Sequence, residues 1–439
     1  MNLKKLLQLF SDNGCQSVYV KKLVRNNNSK QQIYVAQGDT QVLNVFPVKE
    51  FKSVLNPIAK KSTLHGVCNF SWLDDEGNKF VAPNAKFIYY PKYPEVRFSG
   101  FIQGCRKAPS EVLNNLVEGR FLFFGISKSD EILGYAADAE SEISNEFSSL
   151  KNIPMIGILY SLAIENQKII LDTKPQLLQK LKEIYLKGWI DSKQLKPGFI
   201  MASCNGSRCG GLTLEAELGI IQNGKSEPDY LGWEIKQFGV TKLHLINSAR
   251  ITLMTPEPDG GLYKEKGGIE FVRKYGYLSL SNSERMDFTG YHKCGVLQKK
   301  SGLTLMIDKF DFLTNTLKDD SSGIYLLDEK ENIAASWSIA KMFTHWNKKH
   351  AKASYVPSLL NPTPIRQYSF SNNIILGEGT DFSFFINNIA SGNIIYDPGI
   401  HIDNISIKAK LKPRSQFRIS SKFISNLYSS IELVDLNKI

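Results

Sequence analysis

Short runs rich in apolar, β-branched and aromatic residues recur between polar segments along the first 130 or so residues. Runs of this composition, bounded by polar turns, predict β-strands. Polar turns such as Asp74-Asp-Glu-Gly separate the strand-like runs. These runs cover residues 17–24, 32–36, 42–46, 86–90 and 119–126. We therefore expect a strand-rich mixed N-terminal domain that opens with an amphipathic helix over residues 1–10.

A helical spacing of apolar residues follows between residues 174 and 186, and Gly188 ends it. The polar, proline-containing segment Lys193-Gln-Leu-Lys-Pro-Gly comes next. With 439 residues and 42% apolar content, the chain can bury more than one core. We therefore expect two domains: residues 1–192, an accessory domain, and residues 193–439, a domain that carries the chemistry described below.

In the C-terminal half, carboxylates and a lysine cluster around another strand-like run, residues 230–237. Residues two apart on a strand share a face, so Glu234 and Lys236 are expected to point the same way. Asp229 precedes the run and can bend its carboxylate toward Glu234. Two carboxylates supply the hard oxygen ligands that Mg²⁺ prefers. Lys236 is then positioned to orient or deprotonate an attacking water and to stabilise charge on a phosphorus centre.

A further carboxylate, Glu215, lies on a short predicted helix just upstream. Leu214, Leu218 and Ile221 form the apolar stripe of this helix, and Asn223-Gly224 ends it. Glu215 can supply another metal ligand or hold a metal-bound water. The alternative is that Glu215 and Glu217 are solvated helix carboxylates, and that Glu-x-Lys is an exposed pair on a half-buried strand.

These motifs resemble the PD-(D/E)xK nuclease superfamily, and more narrowly the restriction endonucleases of the MvaI/BcnI type. The pattern of that type is Thr-aromatic/aliphatic-Glu, a spacer, Asp, then Glu-Ile-Lys, and the chain matches it with Gly211-Leu-Thr-Leu-Glu215, Pro228-Asp229 and Glu234-Ile-Lys236. The likeness continues in order through Ala249-Arg-Ile-Thr-Leu-Met-Thr-Pro, Phe271-Val-Arg-Lys-Tyr-Gly, Ser336-Trp-Ser-Ile-Ala-Lys and Gln416-Phe-Arg-Ile. It covers the chain from about residue 200 to about residue 425.

The resemblance implies an α/β (α+β) fold with a C-terminal restriction-endonuclease-like domain around a mixed central sheet. It also implies Mg²⁺-dependent cleavage of double-stranded DNA at a short sequence, often by a monomer that nicks the two strands in turn. By motif position, the metal-binding roles fall on Glu215, Asp229 and Glu234, and the catalytic lysine is Lys236. The family's histidine-containing, base-reading segment is replaced here by lysines and arginines, so its sequence specificity does not carry over.

Positive charge agrees with a nucleic-acid partner. The formal net charge is +11 and the pI about 9.1, which suits a polyanion. In the C-terminal half, basic residues recur at even positions, and strand alternation would place several of them on one face that enters a DNA groove. They are Lys408, Lys410, Lys412, Arg414 and Arg418. Solvated edge-strand lysines that discourage aggregation are the competing interpretation.

The N-terminal half interleaves aromatic and basic residues between Phe87 and Lys107. We expect the aromatics Phe87, Tyr89 and Phe98 to be core residues of a strand pair. The candidates for contacts to the DNA backbone are Lys92, Arg97, Arg106 and Lys107.

The cysteine and histidine patterns favour neither zinc nor a cysteine nucleophile. Cys204 and Cys209 stand close together, but no second Cys/His pair follows at zinc-site spacing. Scattered cysteines, an N-terminal apolar run too short for export and the lack of a membrane-length apolar run predict reduced thiols in a cytoplasmic protein. His345 and His350, on a predicted helix, are expected at the surface.

The sequence therefore predicts a type II-like restriction endonuclease. Two alternatives remain: a strand-nicking endonuclease of the mismatch-repair sort, which shares the core chemistry, and a DNA-binding protein whose nuclease core is vestigial. The intact Asp229, Glu234 and Lys236 argue against the second.

Overall fold

The computed structural model describes residues 1–25, 32–37, 40–56, 61–93, 95–164, 173–221, 229–243, 249–314, 316–318 and 322–439. The chain forms two compact units, Met1–Asp172 and Thr173–Ile439. The division differs from the expected boundary at residue 192. The reason is that the helix over residues 174–186 buries Leu177, Leu181 and Ile184 in the core of the second unit.

The first unit is rich in strands, as expected. Its helices are α1 (Leu3–Asp12), α2 (Ser110–Asn114) and α3 (Glu142–Ser149). Its strands are β1 (Cys15–Lys22), β2 (Ile33–Gln37), β3 (Phe51–Asn56), β4 (Lys61–Val67), β5 (Asn69–Leu73), β6 (Lys79–Val81), β7 (Lys86–Tyr90), β8 (Glu95–Ser99), β9 (Phe121–Ser127), β10 (Glu131–Ala137), β11 (Met155–Ile156) and β12 (Leu159–Leu162). They form a seven-stranded sheet, β11-β12-β1-β9-β10-β5-β6, and a five-stranded sheet, β2-β8-β7-β4-β3.

Aromatic rings join the two sheets of the first unit. Phe98 of the smaller sheet lies 5.0 Å from Phe70 and 5.6 Å from Phe124 of the larger sheet, measured between ring centroids. Phe87, Tyr89 and Phe98 are fully buried, which confirms their expected place in the core.

The prediction of a strand over residues 42–46 is wrong, because this segment belongs to a 3-10 helix, Thr40–Val45. Val42, Leu43 and Phe46 are all buried. Two adjacent buried residues and a third at a spacing of three or four fit a helical turn, and they do not fit an alternating strand.

The second unit mixes helices and strands, which confirms the expected α/β class. Its helices are α4 (Lys174–Leu186), α5 (Cys209–Glu217), α6 (Gly261–Glu265), α7 (Gly267–Tyr275), α8 (Ile339–His350) and α9 (Phe382–Ala390). Its strands are β13 (Trp189–Asp191), β14 (Lys193–Lys196), β15 (Ile200–Ser203), β16 (Glu234–Gly239), β17 (Arg250–Met254), β18 (Tyr277–Leu278), β19 (Arg285–Thr289), β20 (Leu297–Gln298), β21 (Leu303–Ile307), β22 (Phe310–Asp311), β23 (Thr316–Leu317), β24 (Gly323–Leu327), β25 (Ile333–Ser338), β26 (Lys352–Asn361), β27 (Gln367–Phe370), β28 (Asn373–Glu378), β29 (Ile394–Tyr396), β30 (Gly399–Asp403), β31 (Lys410–Lys412), β32 (Phe417–Ser420) and β33 (Ser430–Asp435).

A six-stranded mixed sheet lies at the centre of the second unit. The strand β16 pairs in parallel with β26, while β26 pairs antiparallel with β27 and β28. Helices α4 and α5 pack against this sheet through Leu181, Leu214 and neighbouring apolar residues. Three smaller antiparallel sheets, β18-β19-β30-β31, β20-β21-β24-β25 and β17-β32-β29, make up most of the remaining strands of this unit.

Within the described residues, no helix combines the length and the apolar character needed to cross a membrane.

Candidate active site

A tight turn brings Asp229 and Glu234 together at the start of β16. Tyr230 and Trp233 exchange two backbone hydrogen bonds, of 3.0 and 2.8 Å. The two residues between them, Leu231 and Gly232, have φ angles of +50° and +83°. Positive φ at both central positions defines a type I′ hairpin turn, which glycine adopts without strain. Asp229 and Glu234 are the next residues outward from this pair, and the negative charge of Asp229 acts on the Glu234 carboxyl.

The predicted strand over residues 230–237 is therefore shorter than expected at its start, because the turn occupies residues 230–233. Pro228, Asn223 and Gly224 lie outside the described residues. Asp229 is not the straight extension of the strand: it folds back, and its Oδ2 accepts a hydrogen bond of 3.0 Å from the backbone N–H of Ile235. This contact holds the Asp229 carboxylate against the first residues of strand β16.

Glu234 and Lys236 lie on one face of β16, and Ile235 is buried on the other in the apolar core. The Glu234 side chain is only 1% exposed. Its Oε1 accepts a hydrogen bond of 2.5 Å from Nζ of Lys236 and lies 3.7 Å from Nζ of Lys349. Its Oε2 is buried and, among the residues that the structure describes, has no hydrogen-bond partner. One oxygen of this carboxylate is thus held by ammonium groups and the other is available to a ligand.

Burial and charge oppose each other in the Glu234–Lys236 pair. Burial raises the pKa of Glu234, while Lys236 lowers it, and the net direction is upward. Burial lowers the pKa of Lys236, but the carboxylates of Glu234, Asp229 and Glu215 together outweigh burial and raise the pKa above its ordinary value. Lys236 is therefore a cation at neutral pH, which suits it to orient water and stabilise negative charge more than to remove a proton.

The helix α5 brings Glu215 to the same site. Burial, and then the negative charge of Asp229, raise the pKa of Glu215 to about 7, while Lys236 opposes the rise. Glu217 on the same helix has another environment. Its buried carboxylate forms ion pairs with Lys187 and Lys193. Because both of its oxygens pair with lysines, Glu217 is neither a solvated carboxylate nor a substitute for Glu215 at the site.

Two residues that the motif did not indicate, Lys349 and His350, join the site from the end of α8. Lys349 contacts Glu234, as described above. His350 is completely buried: its ring stacks on Trp346 at 4.2 Å and its Nε2 lies 3.1 Å from the carbonyl oxygen of Leu253. Burial, followed by the charge of Lys236, holds the pKa of His350 well below 6.5, so its ring is neutral.

The expectation of a surface position for His350 is therefore wrong. The four-residue spacing between Trp346 and His350 puts both on one face of the helix. The apolar Trp346 on that face is the sequence feature from which the burial of His350 could have been predicted. His345 is partly exposed on the same helix.

The family model that describes the MvaI/BcnI restriction endonuclease family matches residues 178–428 of this chain. The chain belongs to the MvaI/BcnI restriction endonuclease family. As a member of this family it is a DNA endonuclease, a hydrolase of a restriction system. The match begins within α4, close to the start of the second unit, and it includes Glu215, Asp229, Glu234 and Lys236.

This chain is also similar to solved structures of restriction endonuclease MvaI. The complex of MvaI with its cognate DNA substrate has a TM-score of 0.45 and 16% sequence identity, and the match covers 61% of this chain and 99% of MvaI. MvaI in the absence of DNA has a TM-score of 0.34 and 16% identity, with coverage of 62% and 99%. No curated protein matches the chain.

The expected row of basic residues in the C-terminal part is divided in the structure. Lys410 and Lys412 are exposed on β31, and Arg414 is exposed beyond it. Arg418 lies on β32, in a different sheet, where it donates a hydrogen bond of 2.6 Å to Asp397. The expected strand face therefore includes Lys410 and Lys412 and does not extend to Arg418, because β31 ends before Pro413, which has no N–H for a ladder.

In the first unit, Arg97 and Lys107 already have partners. The Arg97 guanidinium lies between the rings of Tyr34 and Tyr90, 4.6 and 4.8 Å from their centroids, and pairs with Glu95 at 2.5 Å. Lys107 pairs with Asp74 at 3.0 Å.

The other two basic candidates of this unit, Lys92 and Arg106, are exposed, and Lys92 lies 5.3 Å from the centroid of the Tyr93 ring.

Cys204 and Cys209 form a disulfide, whereas Cys15, Cys68, Cys105 and Cys294 are free thiols. The expectation that all six cysteines are reduced therefore differs from the structure. The disulfide also removes both sulfurs of the half zinc site considered from the sequence.

Proposed function

We propose that this protein is a type II-like restriction endonuclease that hydrolyses both strands of double-stranded DNA at a short specific sequence and depends on Mg²⁺. Family membership supports cleavage of DNA. The observation that supports the finer proposal is the buried Glu234 carboxylate: one oxygen is held by Lys236, and the other has no partner within the described part of the chain. A buried polar atom without a partner is costly, and a bound cation would satisfy it.

The donor set fits a magnesium ion. Asp229 and Glu234 flank the turn and offer carboxylate oxygens, the ligand type that Mg²⁺ prefers. Among the described residues, no three side chains of His, Cys, Asp or Glu converge closely enough to hold an ion. Mg²⁺ needs only one or two carboxylates, because it keeps several waters and binds substrate phosphate. We assign the ion to Asp229 and Glu234, with Glu215 as the partner of a water at the site.

Each residue then has a defined task in phosphodiester hydrolysis. When bound, the ion would act as a Lewis acid on the phosphate and lower the pKa of a water ligand. The Lys236 ammonium, fixed by Glu234, would orient the attacking water and stabilise the charge that develops on the phosphate oxygens. Glu215, with a pKa of about 7, can accept a proton from water at neutral pH. Lys349 would help Lys236 to balance the negative charge of the three carboxylates.

Basic residues of both units would supply the DNA contacts. In the second unit, Lys410, Lys412 and Arg414 are exposed and suited to phosphates or, for the arginine, to a guanine edge. In the first unit, Lys92 and Arg106 are exposed candidates for phosphate contacts. We propose that the first unit is an accessory DNA-binding domain that raises the local concentration of substrate.

Cleavage of plasmid DNA tests the proposal. Purified protein is incubated with unmodified and methylated plasmid, with Mg²⁺ and with EDTA, and the ends of the products are sequenced. We expect linear fragments with one recurring end sequence in Mg²⁺ and none in EDTA. Nicked circles without linear product would instead support the mismatch-repair type of nickase, and intact plasmid under every condition would contradict the proposal.

A further inference from the structure

The hairpin β14–β15 ends in a tip of large apolar side chains that lie in solvent. The exposed fractions of Phe199, Ile200 and Met201 are 76%, 61% and 50%. Phe199 also has a φ of +58°, in the left-handed region that bulky side chains rarely adopt. A phenylalanine in this conformation is unfavourable unless a contact compensates for it, and such positions concentrate at functional sites.

The base of this hairpin is fixed to the helix that carries Glu215. The backbone N–H of Lys193 donates a hydrogen bond of 3.1 Å to Oγ1 of Thr213 on α5. The Cys204–Cys209 disulfide joins the residue after β15 to the first residue of α5. Leu195 is buried, so only the outer part of the hairpin projects. A contact made by the tip is therefore coupled rigidly to the position of the candidate active site.

The size of the tip suits a DNA groove. The tip is short: Phe199 lies in the turn with a positive φ, and Ile200 and Met201 follow it as the first two residues of β15, about 3.3 Å apart along the strand. The minor groove is about 6 Å wide and 7.5 Å deep. Proteins that enter it often insert apolar side chains such as phenylalanine, isoleucine or methionine between base steps.

Charge selects DNA over a second copy of this chain. The segment from Lys193 to Ser203 contains two lysines and no acidic residue, and Lys196 beside the tip is exposed. Lys193 is already paired with Glu217, so Lys196 is the lysine of this segment that would attract a polyanion. Two copies that met tip to tip would instead bring like charges together.

We propose that the hairpin tip is a DNA wedge: Phe199 inserts between two base pairs of the substrate duplex, Ile200 and Met201 pack against the groove, and Lys196 contacts a phosphate. The inference rests on the proposed function only in taking duplex DNA as the ligand. It assigns a distortion of the substrate to a hairpin that is anchored to the helix of Glu215.

Unwinding of closed circular DNA tests the wedge without cleavage and without a known target sequence. The full-length protein is bound to relaxed plasmid in EDTA, the plasmid is treated with a metal-independent type IB topoisomerase, and the change in linking number is read on a gel. We expect the natural protein to unwind the plasmid, Phe199→Ala to lose this unwinding and Phe199→Trp to keep it. Phe312→Ala, which removes another exposed phenylalanine of this unit, is the matched control and should behave like the natural protein.

Binding of a labelled duplex provides the second readout. A stacked aromatic contributes about 1–3 kcal/mol per base, which corresponds to a roughly 5- to 150-fold increase in Kd for Phe199→Ala. Unchanged unwinding and a Kd within twofold of the natural protein would overturn the wedge. So would sedimentation that shows a dimer converted to a monomer by Phe199→Ala.

The two proposals fail separately. Unwinding that depends on Phe199 in a protein that never cuts DNA would refute the proposed cleavage and leave the wedge standing. Normal cleavage together with unwinding that ignores Phe199 would refute the wedge alone.

Discussion

Replacing Glu215 by glutamine should stabilise the metal-free protein at alkaline pH. The pKa of this carboxyl is raised from 4.5 to about 7, first by burial and then by the negative charge of Asp229. The folded state therefore favours the protonated form, and ionisation costs folding free energy. The contribution of Glu215 to folding stability is therefore greatest below pH 4.5, and it is lost as the pH rises toward 7.

The magnitude follows from the same two pKa values. The rise from 4.5 to about 7 corresponds to about 3 kcal/mol, at about 1.4 kcal/mol for each pKa unit. Glutamine keeps the shape and removes the ionisation. Glu215→Gln should therefore raise the free energy of unfolding by up to about 3 kcal/mol at pH 8, and most of this gain should disappear at pH 5.

Urea unfolding in EDTA, followed by tryptophan fluorescence at pH 5 and pH 8, measures the effect. The matched control is Glu217→Gln on the same helix. Burial opposes ionisation of Glu217, but the hydrogen bonds from Lys187 and Lys193 outweigh it and lower its pKa. This control should lose stability at pH 8, because its ionised form stabilises the fold above pH 4.5 and that contribution fades as the pH falls. A Glu215→Gln protein that is less stable at pH 8, or equally stabilised at both pH values, would refute the reasoning.

Further predictions concern recognition, domain roles and the second lysine. Arg414→Ala should weaken binding to the cognate site by about 1–3 kcal/mol more than binding to random DNA; Arg418→Ala should instead lower the melting temperature, because it leaves a carboxylate unpaired. Competition binding and thermal melting separate these outcomes, and the reverse pattern would contradict them. The second unit expressed alone should fold and cleave DNA in Mg²⁺ with lower affinity, and the first unit alone should bind duplex DNA with a marked salt dependence; no affinity at low salt would reassign the first unit to a structural role. Lys349→Met should slow single-turnover cleavage about tenfold, about 1.4 kcal/mol, whereas the exposed control Lys274→Met should not change the rate.

Local pattern was sufficient to predict the centre of the candidate site. Alternation along β16 determined that Glu234 and Lys236 share a face, and helical spacing placed Glu215 on α5. The position of Asp229 depended on a left-handed turn at Leu231 and Gly232. The glycine was visible in the sequence, but a leucine with positive φ is uncommon and gives no local signal.

Residues that reach the site through long-range pairing were not predicted. Lys349 lies more than one hundred positions after Glu234 and arrives because α8 leads into β26, the parallel partner of β16. No local period reports such a pairing. The broken basic row is a different case, because Pro413 already marked the end of a strand in the sequence.

The central claim is that Asp229, Glu234 and Lys236 form a metal-dependent centre for DNA cleavage. Single-turnover cleavage of a plasmid in Mg²⁺, compared with DNA binding in Ca²⁺, tests it most directly. Glu234→Gln and Lys236→Met should each lower the cleavage rate at least roughly a thousandfold, which corresponds to about 4 kcal/mol of barrier. Both variants should still bind DNA. The control Glu265→Gln, which lies on the exposed helix α6, should cut at the natural rate. Cleavage by either site variant within tenfold of the natural rate would contradict the claim.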